Sequence, residues 1–191
     1  MSARLINILN QLTPAPEQGL DVLISRSKHL QVEANQVLIS CNSKPQYLYA
    51  IEQGLLRAVF VTQDGKEYSK EFYWENDIIF VMRYLMTKKP LPYSIETIEP
   101  CTLYQMPIDI YQKLIDSKAV WLRYHQKHIE HQLLSKEIKE ELLLLHSNEQ
   151  KVEKVYELFP HFVCRVPATL IASYLGLSPV SVSRIKKRLG L

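Results

Sequence analysis

Between residues 37 and 107 apolar and polar positions alternate in short runs, and after Ile108 the spacing changes to threes and fours. In the block LYAIEQGLLRAVFVTQDGKEYSKEFYW, Leu56, Ala58 and Phe60 fall on one side, and Leu55, Arg57, Val59 and Val61 on the other. That period of two belongs to a strand. Asp64-Gly65 predicts a tight hairpin turn, because such a turn needs positive φ and glycine accepts it. Asn76-Asp77 and Pro100 mark further turns before Ile78–Val81 and Thr102–Met106. Many short strands without intervening helices predict an antiparallel barrel or sandwich, not a doubly wound sheet.

Beyond Ile108, the residues Ile110, Leu114 and Ile115 suit a short helix. Residues 118–146 then hold neither Gly nor Pro and are rich in Leu, Glu, Lys and Gln, all good helix formers. A helix of that length spans roughly 43 Å. Trp121, Tyr124, His128, His131, Ser135, Ile138, Leu142 and Leu145 follow the alternating spacing of a coiled-coil seam, apolar at its ends and polar in its middle. A dimerisation helix is expected, with Trp121, Tyr124, His128, Ile138, Leu142 and Leu145 as its contacts. The alternative is a helix lying on the β region. The expected domains are 1–116, 117–146 and 147–191.

The tail contains a helix-turn-helix pattern that starts at Ala168. Its fifth position needs a small residue where two helices cross, and its ninth needs Gly for a left-handed turn; Ala172 and Gly176 stand there. Val182 and Ile185 supply the apolar positions that seat the second helix, and Ile171, Leu175 and Leu177 add core anchors. Ser178-Pro179 reads as an N-cap followed by Pro at the first helical position. With Val182, Ile185 and Leu189 inward, the outer face carries Val180, Ser181, Ser183, Arg184, Lys187 and Arg188. Its N-terminal part suits base edges and its later cations suit phosphate. Arg184 is the residue placed to read guanine through O6 and N7. Thr169, near the start of the first helix, suits a phosphate.

Charge sharpens this picture. The chain of 191 residues has a formal charge of only +3, yet no Asp or Glu follows Glu157. The last 34 residues carry +5 through Arg165, Arg184, Lys186, Lys187 and Arg188, so the rest carries −2. An acid-free basic tail fits a polyanion. The composition is that of an ordinary globular protein, 47% hydrophobic and 23% charged, and no long uncharged apolar run suggests a membrane span. Cys41, Cys101 and Cys164 are far apart, with no CxxC pair, so a reduced cytoplasmic setting is expected.

Strands, long helix and C-terminal helix-turn-helix, in that order, resemble the Crp/Fnr superfamily of bacterial transcription regulators. The blocks LYAIEQGLLRAVFVTQDGKEY and FPHFVCRVPATLIASYLGLSPVSVSRIKK carry the resemblance. It implies an α+β chain: an N-terminal antiparallel, jelly-roll-like β-roll with flanking helices, a dimerisation helix and a C-terminal, winged helix-turn-helix. It further implies a homodimer on double-stranded DNA, with Thr169, Ser178, Pro179, Val180, Ser181, Ser183, Arg184, Lys187 and Arg188 at the interface and RNA polymerase as a further partner. Cyclic-nucleotide-binding members carry a Gly-Glu pair and then an Arg-Ser or Arg-Thr pair in the roll. The stretch WENDIIFVMRYLMTKKPLPYSIET has no Gly-Glu, has Leu91-Pro92-Tyr93-Ser94 near the second site, and offers Arg83 too early. A buried phosphate without a cation is costly, so control by cyclic nucleotides is not expected. One cysteine before residue 100 cannot hold an iron–sulfur cluster. The β region has no His, and Cys41 and Cys101 are poor haem ligands, so no cofactor is expected. The tail resembles a subgroup that usually has Glu where Val180 stands; Val180 can only touch a thymine methyl, which shifts the base preference.

Aromatic side chains remain in the effector region. Phe72, Trp74, Phe80, Arg83, Tyr84, Tyr93 and Ser94 form the candidate pocket for an unidentified effector, against a collapsed core that senses nothing. His125, His128 and His131 raise a metal alternative, but 125 and 131 lie about 240° apart on a helix and cannot share one ion. Seam residues that set register are the stronger reading. No paired carboxylates, activated nucleophile, HExxH or phosphate-cradling glycine loop is present, which argues against an enzyme. The remaining alternative is a sensor or protein-interaction module of the same fold.

Overall fold

A computed structural model describes the chain from residue 2 to residue 191, apart from the side chains of Ser2, His161 and Phe162. Helices α1 (Ser2–Leu9) and α2 (Leu20–Arg26) precede strands β1 (Lys28–Val32), β2 (Val37–Ile39), β3 (Tyr47–Gln53), β4 (Leu56–Val61), β5 (Glu67–Tyr73) and β6 (Ile78–Ile79). After α3 (Met82–Thr87) come β7 (Ser94–Thr97) and β8 (Cys101–Pro107). The rest is helical: α4 (Ile108–Ser117), α5 (Ala119–Leu145), α6 (Asn148–Leu158), α7 (Pro160–Val163), α8 (Ala168–Leu175) and α9 (Pro179–Leu189). The strands form two four-stranded sheets, ordered β1-β8-β3-β6 and β2-β7-β4-β5. The expected α+β class with antiparallel sheets is therefore present, and β1 extends it ahead of the predicted β region.

Two compact units divide the chain. One comprises the chain up to Ala58 with Phe72–His131; the other comprises Val59–Glu71 with Gln132–Leu191. The sequence suggested boundaries after 116 and 146. Instead the division cuts α5 in its middle and assigns the outer half of the β4–β5 hairpin to the helical unit.

In the first unit, β8 pairs antiparallel with β1 from Lys28↔Gln105 to Val32↔Cys101, and with β3 from Tyr47↔Pro107 to Gln53↔Thr102. Leu48, Ile51, Leu56, Ile95, Leu103 and Met106 form its core, joined by Leu5, Ile8 and Leu9 from α1. Gly54, between β3 and β4, has φ +113°, and a Cβ there would lie 2.8 Å from the Cys101 Cα. The strand–Gly–strand block is thus required twice, by conformation and by close backbone approach. Along β4 both faces are buried up to Val59, so the predicted alternation does not separate core from solvent on this inner strand. Arg57 is buried with it, and its Nε and Nη2 donate to Glu96 Oε1 at 2.7 and 2.6 Å.

The first half of α5 corrects the coiled-coil expectation. Trp121, Tyr124 and His128 are sealed inside their own chain's unit. Trp121 is 0% exposed, its indole N–H donates to the Gln18 carbonyl at 2.8 Å, and its ring meets Tyr111 and Tyr124 edge-on. The Tyr124 hydroxyl donates to the Leu9 carbonyl at 2.7 Å. The His128 ring lies 4.6 Å from those of Phe80 and Tyr124. Large aromatic side chains bury too much surface to leave idle when a β-roll can cover them, so the helix lies on the roll here.

His128 makes this cluster acid-sensitive. The residue is 8% exposed, and its Nε2 has no hydrogen-bond partner among the described residues. Burial first, then the neighbouring imidazoles of His125 and His131, lowers its pKa to about 4 from an ordinary 6.5. The unfolded chain therefore binds a proton that the folded one refuses, and stability falls as pH drops from 6.5 toward 4. Urea unfolding should lose about 2 kcal/mol between about pH 7 and about pH 5 from this group. His128→Phe should flatten that slope; an unchanged slope would assign it to other groups.

In the second unit, the hairpin turns as predicted. Gly65 has φ +79°, the Thr62 N–H donates to the Lys66 carbonyl at 2.9 Å, and the Thr62 hydroxyl bonds Asp64. Leu142, Val152, Val155, Val166, Ile171, Ala172, Leu175, Val182 and Ile185 are buried. Ser147 and Gln150 form a reciprocal capping box that starts α6, a local signal of the S-x-x-Q type. Among the described residues no strand lies within 147–191, so the expected wing is absent there. Among them, too, no helix is long and apolar enough to cross a membrane.

Candidate nucleic-acid interface

The α8–turn–α9 segment is built by local chemistry. Gly176 ends α8 in the left-handed region at φ 68°, and its N–H bonds back to the Ala172 carbonyl. Ser178 is the N-cap of α9: its hydroxyl accepts from the Ser181 amide at 3.1 Å, and Pro179 follows at the first helical position. Ala172 is fully buried beneath the turn, and Val182 and Ile185 seat α9; Leu189 is only half-buried.

The opposite face of α9 is open. Ser178, Pro179, Val180, Ser183, Arg184, Lys187 and Arg188 are exposed, Ser181 is half-buried, and Thr169 is exposed at the start of α8. The Ser178 and Ser181 hydroxyls stand 2.8 Å apart, so both are partly spent on the cap. Arg184 and Lys187 make no ion pair or side-chain hydrogen bond within the described residues. Arg188 departs from the sequence reading. Its Nε and Nη2 grip Glu149 Oε1 and Oε2, each at 2.8 Å. Lys186 reaches over the Tyr156 ring, 4.9 Å from its centroid.

Residues that the sequence did not single out hold α8 in place. The Ser173 hydroxyl accepts from the Ser69 N–H at 2.8 Å and donates to the Glu67 carbonyl at 2.9 Å, stitching α8 to β5. Lys139 donates to the Lys70 and Ser69 carbonyls at 2.7 and 3.3 Å and lies 3.7 Å from the centre of the Tyr174 ring. Burial, then the like charge of Lys70, pulls the Lys139 pKa down to about 7, against the pull of Glu71. Lys136 approaches Glu71 at 3.6 Å, and Lys70 pairs with the same carboxylate at 3.0 Å. The ties of Ser173, Lys139 and Lys136 to β5 show no sequence period, because in each the partners lie at least 65 residues apart.

On the exposed side of α5 in this unit, Ile138 and Leu145 are exposed, Leu145 at 77%, whereas Leu142 is buried. Leu133, Leu134 and Leu144 are exposed as well.

The candidate effector residues occupy varied positions in the first unit. Phe72 and Tyr93 are buried, and Trp74 is half-buried with its backbone N–H donating to Asp77 Oδ2 at 3.0 Å. Phe80 is committed to the aromatic cluster of Tyr111, His125 and His128. Arg83 is exposed on α3, Tyr84 lies beneath Lys88, and the Ser94 hydroxyl accepts from the Cys41 N–H at 2.9 Å. The set therefore supplies no buried cation. Among the described residues the one buried arginine or lysine is Arg57, which Glu96 already neutralises. Of the three histidines, His125 is buried with its Nδ1 3.2 Å from the Tyr111 hydroxyl, His128 is enclosed by rings, and His131 is exposed. No group of three or more metal-capable side chains occurs among the described residues.

Comparison with known proteins places this arrangement. Residues 29–118 match the family model for the cyclic nucleotide-binding domain. No curated protein matches the chain in sequence. Among solved structures, a crp/fnr-family transcriptional regulator from Eubacterium rectale superposes with a TM-score of 0.75 at 15% identity, covering 92% of this chain and 84% of that one. FixK2 from Bradyrhizobium japonicum gives 0.72 at 17%, covering 86% and 84%. The c-di-GMP responsive global regulator CLP of Xanthomonas campestris gives 0.67 at 14%, covering 92% of each. The chain thus joins a segment matching the cyclic nucleotide-binding domain to helices in the fold of the Crp/Fnr regulators.

Proposed function

We propose that this protein is a homodimeric, sequence-specific DNA-binding transcription regulator of the Crp/Fnr type that is not controlled by cyclic nucleotides. The observation that carries the reading is the open face of α9. It offers Val180 and Arg184 for base edges and Lys187 for phosphate, on a helix with no acidic residue of its own. The fold neighbours are regulators, which supports a regulatory and not an enzymatic role. RNA polymerase is the further partner such a role calls for.

For the dimer, the support moves along α5. By helical phase Leu134, Ile138 and Leu145 fall within one narrow stripe, and all three are exposed. A second copy would cover this apolar stripe, in place of the seam through Trp121 and Tyr124. Independence from cyclic nucleotides is supported by Arg57, whose charge Glu96 already holds, and by the exposure of Arg83.

Arg184→Ala tests the reading. A bidentate contact to guanine is worth about 1–3 kcal/mol of discrimination. Site selection from a randomised duplex pool should show base preference relaxed at one position per half-site. An equal loss on every sequence would make Arg184 a phosphate contact only.

A further inference from the structure

We infer that Glu149 is an internal stand-in for DNA phosphate, which occupies the Arg188 guanidinium and holds down the protein's affinity for DNA of any sequence. The inference rests on the DNA-binding reading above and concerns how strongly the same face grips the backbone.

Arg188 is the third cation on the open face of α9. It lies one helical turn beyond Arg184 and next to Lys187. Arg184 and Lys187 have no carboxylate partner among the described residues, but Arg188 has both arms of its fork on the two oxygens of Glu149. That side-on, two-bond geometry is the one a guanidinium uses on phosphate. The pair is placed, not incidental. Glu149 sits in the first turn of α6, between the two residues of the Ser147–Gln150 capping box, where the helix N-terminus favours a negative charge. Arg188 sits in the last turn of α9, where the C-terminus favours a positive one.

Both side chains stay accessible, Arg188 at 63% and Glu149 at 41% exposure. Water therefore screens the pair, and a phosphate can compete for the guanidinium. Competition has a consequence for counterions. An arginine already neutralised by a carboxylate displaces no cation from DNA on binding; if phosphate takes the fork, the freed carboxylate faces the backbone and repels it. Either way Arg188 adds little to the sequence-independent grip, although its position suggests a full phosphate contact. Base readout through Val180 and Arg184 is untouched, so the pair raises the share of binding that depends on sequence.

The test compares the full-length wild-type chain, Glu149→Gln, and Glu149→Gln with Arg188→Gln, by anisotropy on a fluorescein-labelled duplex of scrambled sequence over a range of salt. Glu149→Gln should bind about fivefold more tightly per copy near 0.15 M salt and steepen the salt slope by about 0.9 per copy. The double variant should return the slope to that of the wild type, and thermal melts should remain close to wild type for all three. A Glu149→Gln slope equal to that of the wild type, or weaker binding together with a lowered melting temperature, would overturn the inference and make the pair a strut between α6 and α9. A wild-type chain without salt-dependent binding would overturn the DNA reading itself, and the wild-type titration alone would show it.

Discussion

Binding to duplex DNA should fall by roughly a hundredfold when salt rises from about 50 to about 200 mM. Arg184 and Lys187 are open on α9, and the tail from residue 158 onward contains no acid to screen them. Two open cations per copy make four on two copies, and each that releases a counterion from DNA adds about 0.9 to the slope of log affinity on log salt. The resulting slope of about −3.5 is set by the backbone, so it should be the same on preferred and scrambled sequences. Anisotropy or filter binding at four or five salt concentrations measures it. A flat response would mean that the open face of α9 meets something other than DNA, and the sensor or protein-interaction alternative would take its place.

Truncating Trp121 to Ala should cost about 3–5 kcal/mol of stability, read by urea unfolding. Trp121 is fully enclosed, hydrogen-bonds the Gln18 carbonyl through its indole, and packs edge-on against Tyr111 and Tyr124. Its removal leaves a cavity and an unpaired carbonyl together. The location also predicts the form of the loss. A residue in the core of its own chain destabilises equally at every protein concentration, whereas a seam residue weakens association, and its cost varies with concentration. An effect that disappears when the protein is diluted to monomer would return Trp121 to the dimer seam.

Trp121 also shows where sequence reading met its limit. A 3-4 spacing of large side chains says that one helix face is buried, but not by what. The roll and a second copy would both satisfy it. In α5 the roll covers Trp121, Tyr124 and His128, while Ile138 and Leu145 remain exposed. The same limit applies to β4. Alternation assigned two faces, yet this strand is inner to its sheet and buries both, Arg57 included. Arg57 is tolerated there because Glu96, 39 residues away, neutralises it, and no local pattern announces such a partner. The candidate effector residues share this difficulty: aromatic character marks burial, but convergence on one cavity is a property of the packed roll.

What the sequence determined by itself is the set of features closed within a few residues. Gly65 and Gly176 take positive φ, Ser178 caps α9 ahead of Pro179, and Ala172 fits beneath the turn. Each depends on backbone sterics or a hydrogen bond to a near neighbour, which the local residues alone dictate. The basic, acid-free tail was legible for the same reason, since charge is a sum over residues. Only the tertiary structure decided which of those charges are open. Arg188 is closed by Glu149 from 39 positions away, and Ser173 and Lys139 tie α8 and α5 to a hairpin more than 60 residues distant. Ion pairs and buried hydrogen bonds form between groups that the fold brings together, and their spacing along the chain carries no period by which they could be recognised.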